Sequence, residues 1–263
     1  MAIDVEPTLF GDLADHRPLL VLLHAFPLDR RMWRPQVNGL AHILPVLTID
    51  LPGFGRSIEL EVAPNMDSWA DAVAQAIEDR CQERPVVVCG LSMGGYVALH
   101  LVRRHRKLVS GLMLCDTRAE ADTDEGRAAR DAAILAIHER GMAPLAEAML
   151  PKLLAPVADE ATRDATRTLI LEQPPDAARN ALQTMRDRSD SRDLLPTLEI
   201  PVLIVVGSDD VLTPPADSEQ MAASTPGSEL VVIPHAGHLS NLEQPHAFNT
   251  AVSAFLGDAF LSG

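Results

Sequence analysis

Positive charge is in short supply in this chain: 22 Lys and Arg stand against 37 Asp and Glu, a formal net charge of −15. A chain of that balance repels phosphate backbones and anionic lipid, which argues against nucleic acid and membrane surfaces as partners. The acidic residues are scattered and not blocked, the pattern of a solvated surface. Cysteine is scarce too, and Cys81, Cys89 and Cys115 show neither disulfide-framework nor metal-ligand spacing. Two of the three sit inside apolar runs, where a free thiol behaves as a small buried hydrophobe, in keeping with a reducing compartment. No apolar run is long enough to span a bilayer, and the opening "MAIDVEPTLFGDLADHR" lacks the apolar core of a secretory signal. Aromatic residues make up only 3%, which weighs against a large stacking site. Internal repeats and low-complexity stretches are missing as well. These absences predict a soluble, cytoplasmic protein.

What is present is enough apolar material, 47% of 263 residues, for one large α/β domain or two small ones. Six short β-branched runs end in Gly, His, Pro, Ser or Asp: "PLLVLLH" (18–24), "PVLTID" (45–50), "PVVVCGLS" (85–92), "VSGLMLCD" (109–116), "PVLIVVG" (201–207) and "ELVVIP" (229–234). Runs without alternation suit strands covered on both faces, as in a parallel sheet flanked by helices. Helical periodicity falls between and after them, at 67–80, 95–105 and 246–256. The expectation is a doubly wound α/β sheet. Between Asp116 and Pro201 the alternation stops, and helix-forming segments near 125–140, 144–154, 159–172 and 175–187 follow one another between prolines. This predicts a core of residues 1–116 and 196–263 with a helical cap, 117–195, inserted between two core strands.

"VVVCGLSMGGYVAL" reads as strand, G-x-S-x-G, helix, with Ser92 at the centre. The spacing needs glycines because the serine sits on a sharp strand-to-helix turn, where neighbouring side chains would collide with backbone. The turn lifts the Ser92 hydroxyl above the sheet, and the Met93 N–H at the helix start can meet a developing oxyanion. A second donor is expected from the Phe26 N–H in "LLHAFPLDRRMW", the loop after the first clear strand. Phe26 and Met93 also wall an acyl pocket, and His24 under that loop reads as a structural hydrogen-bonder. Ala25 stands where this loop usually carries glycine, a methyl that is tolerable at negative φ.

A serine hydroxyl needs a base, and the base an orienting acid. Of nine histidines, His238 in "VVIPHAGHLSNLEQP" is the best placed, in a Gly-His loop beyond the last strand. His235 lies closer to the strand and reads as structural. Three strand ends carry aspartates: Asp50 in the Gly/Pro turn "DLPGFGRS", Asp116, and the pair Asp209 and Asp210 in "GSDDVLTPP". The pair stands in the chain order Ser, Asp, His that such a sheet expects. Spacing alone does not choose between its two members. Thr213 is expected to N-cap the following helix with Pro214 at its first position.

Taken together, "HAFPLDRRMW", "DLPGFGRS", "GLSMGGYVA", "PVLIVVGSDDVLTPP" and "AGHLSNLEQP" resemble the α/β-hydrolase superfamily, in particular the small capped branch of esterases, 3-oxoadipate enol-lactonases and cofactor-free haloperoxidases. The resemblance implies an α/β-hydrolase fold of about seven to eight mostly parallel strands. It also implies that Asp210, not Asp209, is the acid beside Ser92 and His238, with the Phe26 and Met93 amides as oxyanion donors. The implied activity is hydrolysis of a small carboxylic ester or lactone through an acyl-enzyme, without metal or organic cofactor. Perhydrolysis or C–C bond hydrolysis would use the same triad, and a ligand-binding protein with an idle site is the reading from a different class. Met142, Met149, Leu150, Leu153, Leu212 and Leu239 are candidates for the substrate pocket, and Arg118 or Arg127 for meeting a substrate carboxylate. The sequence points to neither a monomer nor a homo-oligomer.

Overall fold

A computed structural model describes residues 8–10, 17–57, 65–81 and 83–261. The acidic opening segment lies, apart from residues 8–10 and Arg17, outside the described residues. The sheet has seven strands: β1 (Thr8–Phe10), β2 (Leu19–Leu23), β3 (Val46–Ile49), β4 (Val86–Leu91), β5 (Gly111–Cys115), β6 (Val202–Gly207) and β7 (Glu229–Ile233). Their order across the sheet is β1-β3-β2-β4-β5-β6-β7. β1 runs antiparallel to β3 and every other pairing is parallel. The six apolar runs read from the sequence are thus β2 to β7. β1 was not expected: three residues beside charged neighbours give no periodic signal.

Every residue of β2 through β6 is buried. That is the signature of a sheet sealed on both faces, and it explains why the runs lack alternation. The layers come from α1 (Arg34–Leu40), α2 (Met66–Cys81), α3 (Met93–Arg104), the two later helices α8 (Pro215–Ser224) and α10 (Pro245–Leu256), and the single turn α9 (Ser240–Glu243). α2 packs against α3, and α1 against α10. Trp69 of α2 and Phe248 and Phe255 of α10 are among the large side chains driven into the core, each contributing about 2–3 kcal/mol by burial. Among the described residues, no helix is long and apolar enough to cross a membrane.

Between β5 and β6 the chain makes four helices and no strand: α4 (Asp124–Arg140), α5 (Ala143–Leu153), α6 (Glu160–Leu171) and α7 (Pro175–Arg186). Thr123 and Asp159 cap α4 and α6 by accepting the Gly126 and Thr162 N–H groups. α4 packs on α7 and on α5, and α5 on α6. The parallel register brings the carboxyl ends of β4, β5, β6 and β7 to one edge of the sheet, under these helices. In parallel α/β sheets this edge is where ligands bind.

Candidate active site

Ser92 follows β4 directly and carries φ 54, ψ −113, a conformation that a non-glycine residue adopts only under constraint. The constraint is visible in its glycines. A Cβ at Gly90 would lie 2.2 Å from the Gly94 carbonyl oxygen, and one at Gly94 would lie 2.2 Å from the Leu23 carbonyl oxygen. The turn is further pinned by the Ser92 N–H donating to the Cys115 carbonyl, 2.9 Å, and by the Thr117 hydroxyl donating to the Ser92 carbonyl, 2.8 Å.

The Ser92 Oγ stands 2.7 Å from Nε2 of His238, and Nδ1 of the same ring stands 2.8 Å from Oδ2 of Asp210. Asp210 also accepts the Leu212 and Thr213 N–H groups on Oδ1 and the Thr213 hydroxyl on Oδ2, at 2.8, 3.0 and 2.6 Å. Burial alone would push this carboxyl up, but the His238 ring and the Thr213 donors outweigh it and hold Asp210 below the usual carboxylate range. An ionised Asp210 can only accept, so Nδ1 carries the ring proton and Nε2 is left to accept from the Ser92 hydroxyl. Asp209 faces away: its N–H donates to the Ala236 carbonyl, and its side chain is exposed. His235 is exposed as well, its N–H donating to the Ser208 hydroxyl.

Phe26 lines the same cavity as Ser92, and Met93 opens α3. Among the described residues neither N–H has a hydrogen-bond partner. His24 underpins the loop: its Nδ1 lies 3.0 Å from the Ala25 carbonyl, and its Nε2 accepts the Leu51 N–H at 2.8 Å. Burial lowers its pKa, which favours the neutral ring that this donor-acceptor pair requires. Ala25 does not enter the left-handed region, so its methyl fits where glycine is usual. Asp50 binds the Arg30 and Arg56 N–H groups and the Arg30 guanidinium, a structural turn beneath this loop. Among the described residues no three His, Cys, Asp or Glu side chains form a metal-holding group.

A strand-borne serine on a strained turn, hydrogen-bonded to a histidine and through it to an aspartate, is a geometry shared by many chains. The deciding comparison is one of sequence: the profile of the alpha/beta hydrolase family matches residues 20–251. The chain belongs to that family. It is similar to 3-oxoadipate enol-lactonase 1 of Acinetobacter baylyi, 29% identical over 92% of this chain and 90% of that one. It is similar also to a pimeloyl-[acyl-carrier protein] methyl ester esterase of Neisseria meningitidis, 32% identical over 86% of this chain and 89% of the relative. Among solved structures, a thermophilic esterase from Thermogutta terrifontis superposes with a TM-score of 0.92 at 36% identity, covering 97% of this chain and 93% of the other.

In this hydrolase a cavity of about 430 Å³ lies over Ser92 and His238, roofed by α4, α5 and α7. Its floor includes Phe26, Tyr96, Leu212 and Thr213. From α5 come Leu145, Ala148, Met149 and Lys152, spaced as one helical face. α4 contributes Gly126, Ala129, Arg130 and Ala133 with the same spacing, and α7 contributes Leu182 and Met185. Of the six apolar candidates, Met149 and Leu212 line this cavity. Met142, just before α5, and Leu150 and Leu153 on it do not; all three are buried in the hydrophobic core. Leu239 is likewise buried in the core, next to the His238 loop. Arg118 lines the cavity and is paired with Asp217 at 3.0 Å; Arg127 lies outside it. A larger groove, about 860 Å³, runs between α1 and α6, but none of Ser92, Asp210 and His238 lines it.

Two residues escaped the sequence reading. Thr213 does not cap the next helix, which starts at Pro215 with Pro214 as its cap; it bonds Asp210 and comes within 3.3 Å of His238 Nδ1. Tyr96, one turn into α3, sits on the cavity wall with the buried Arg188 guanidinium 4.1 Å above its ring. Arg188 and Arg130 both pair with Asp122, which locks α4 to the segment after α7.

Proposed function

We propose that this hydrolase cleaves a small carboxylic ester or lactone through an acyl-enzyme on Ser92. The observation that carries the reading is the unbroken chain from Asp210 through His238 to Ser92, at 2.8 and 2.7 Å. In this reading Ser92 Oγ attacks the carbonyl while His238 Nε2 takes its proton. Asp210 holds the ring in the required tautomer and stabilises the imidazolium. The Phe26 and Met93 N–H groups, without other partners among the described residues, receive the oxyanion. His238 then returns the proton to the leaving alcohol, or to the ring-opened oxygen of a lactone. Water, activated by the same nitrogen, releases the acid.

The substrate class is supported by the names of the relatives, a lactonase and two esterases. It is supported also by the cavity volume, which suits a small acyl group. Residues 117–195 act in this reading as a cap that shapes the acyl site, on a core of residues 1–116 and 196–263. The buried thiols of Cys89 and Cys115, hydrogen-bonded sulfur to sulfur at 3.7 Å without a disulfide, suit a reducing cytoplasm.

The test is a panel of p-nitrophenyl esters and lactones run beside Ser92→Ala. The variant should keep its circular dichroism and lose at least about 10⁴-fold in kcat. Turnover that survives in Ser92→Ala would rule out Ser92 as the nucleophile.

A further inference from the structure

The proposed chemistry leaves one buried acid unused. Asp116 closes β5, is fully buried, and holds φ 45, in the left-handed region that non-glycine residues avoid. Among the described residues no cation pairs with its carboxyl. A buried carboxyl without a counter-ion, on strained backbone, is a poor choice for stability alone, because an apolar side chain would fill the space at less cost. Its two oxygens explain the choice. Oδ1 accepts the Gly207 N–H at 2.8 Å, and Gly207 opens the turn that leads to Asp210. Oδ2 accepts the Ser240 hydroxyl, two residues after His238.

The neighbours of Asp116 do the same for the serine. The Cys115 carbonyl receives the Ser92 N–H, and the Thr117 hydroxyl bonds the Ser92 carbonyl. Three consecutive residues therefore grip the three loops that carry Ser92, Asp210 and His238.

We propose that Asp116 is a positioning residue: its carboxyl ties the acid loop to the base loop, while Cys115 and Thr117 register the nucleophile turn against both. This inference rests on the reading of Ser92, His238 and Asp210 as the working groups. The link does not depend on Asp116 being ionised. Burial, reinforced by the nearby Asp210 charge, raises its carboxyl well above the ordinary range. Once protonated it still offers Oδ1 to Gly207, and its new O–H can donate to a reoriented Ser240 hydroxyl.

Asparagine preserves both links, with Oδ1 accepting from Gly207 and Nδ2 donating to Ser240. Alanine removes both, and Ser240→Ala removes one. Misplacement of a reacting group by about 1 Å costs on the order of 10²-fold in rate. On a p-nitrophenyl ester, Asp116→Ala should therefore lose about 100-fold in kcat and Ser240→Ala about 10-fold, each with KM within about two-fold of the parent. Asp116→Asn should stay within about three-fold of the parent kcat.

Rates are counted per competent serine, by end-point labelling with a fluorophosphonate, so a change in folded fraction alone leaves kcat unmoved. Retained kcat in both Asp116→Ala and Ser240→Ala would overturn the inference, as would an Asn variant that falls as far as Ala. Should Asp116→Ala not fold, Ser240→Ala and Asp116→Asn decide it. A parent that neither labels at Ser92 nor turns over any ester would instead overturn the reading beneath it, which the Ser92→Ala control identifies separately.

Discussion

The two walls of the cavity share one apolar core but differ in their polar links. Its floor is the carboxyl edge of the sheet, where Ser92, Asp210 and His238 hang from strand ends joined by short hydrogen bonds among buried groups. Its roof is a set of helices that bury Ile137, Leu150, Leu153 and Ile170 in the same apolar core and add ion pairs, Asp122 with Arg130 and Arg188 and Asp131 with Arg186. The latches from roof to floor are polar too. Gln173 donates to Asp29 at 2.7 Å, and Glu243 receives the Ala155 N–H of the roof and the Gly237 N–H of the His238 loop at 2.7 and 2.8 Å. In the proposed reading, groups that must keep fixed distances sit at the ends of buried strands, while the surface that would meet the variable part of a substrate rides on helices.

The largest expected contrast lies within the floor itself. Asp210→Asn keeps the shape but upsets the ring tautomer, and in Ser-His-Asp triads that change lowers kcat about 10⁴-fold. Asp209→Asn, one residue earlier and exposed, should leave kcat within about two-fold. Steady-state kinetics of the two variants on one ester check this. Equal losses would mean that the acid is not Asp210 alone.

The next contrast sets a core residue of α5 against a cavity-lining residue one turn earlier. Leu153→Ala empties a fully buried site and should cost about 2–5 kcal/mol in denaturant unfolding, with the ratio of rates on short and long acyl esters unchanged. Met149→Ala, on the cavity face, should lower kcat/KM on the longest acceptable acyl chain about 10-fold and change stability little. A Met149 variant with unchanged chain-length preference would remove α5 from the acyl site.

One substitution also has opposite signs in the two regions. Gly94→Ala forces a methyl to 2.2 Å from the Leu23 carbonyl oxygen, with backbone on both sides, and should cost about 1–3 kcal/mol. The midpoint of thermal unfolding would fall by about 2–4 °C per kcal/mol. Gly126→Ala, in the first turn of α4, meets nothing closer than 3.5 Å and should gain up to about 1 kcal/mol from helix propensity. Stabilisation by Gly94→Ala would mean that the Ser92 turn is looser than its geometry indicates.

The same division governs what the sequence discloses. β2 to β6 were legible because a strand buried on both faces writes an unbroken apolar run, half-exposed β7 by its β-branched run, and Ser92 because its turn admits only glycine at Gly90 and Gly94. Asp209 and Asp210 were inseparable by spacing; what separates them is the Asp209 N–H bond to Ala236, a tertiary contact that turns the exposed side chain outward. The roof was legible as four helices but not as a wall. Residues 142–153 are apolar beyond the cavity-lining positions, so Met142, Leu150 and Leu153 looked no different from Met149. The signal that existed was Lys152, seven residues after Leu145, which marks the less buried face. Thr213 was hidden by its neighbours, because a threonine before two prolines reads as a helix cap.

The smallest effect, and the one that tests the comparison most directly, is the order in which acid loosens the two walls. In the roof, burial acts to raise the Asp122 carboxyl, but the bonds and charges of Arg130 and Arg188 prevail and hold it below the ordinary range. A depressed carboxyl contributes stability that is present above the unfolded value, about 3.9, and is lost as pH falls through the folded value. The buried acids between the sheet edge and the His238 loop behave the other way. Burial raises Asp116 and Glu243, so what they contribute is greatest at low pH and fades as pH rises through their folded values. Asp210, depressed through His238, is the floor's exception. Taking the protein from pH 6 to pH 3 should therefore release the Asp122 junction before β4 to β6. Hydrogen exchange, corrected for the intrinsic pH dependence of the amides, should show protection lost first in 119–130 and 185–191. Protection lost first or simultaneously in the strands would mean that the ion pairs of the roof do not hold it.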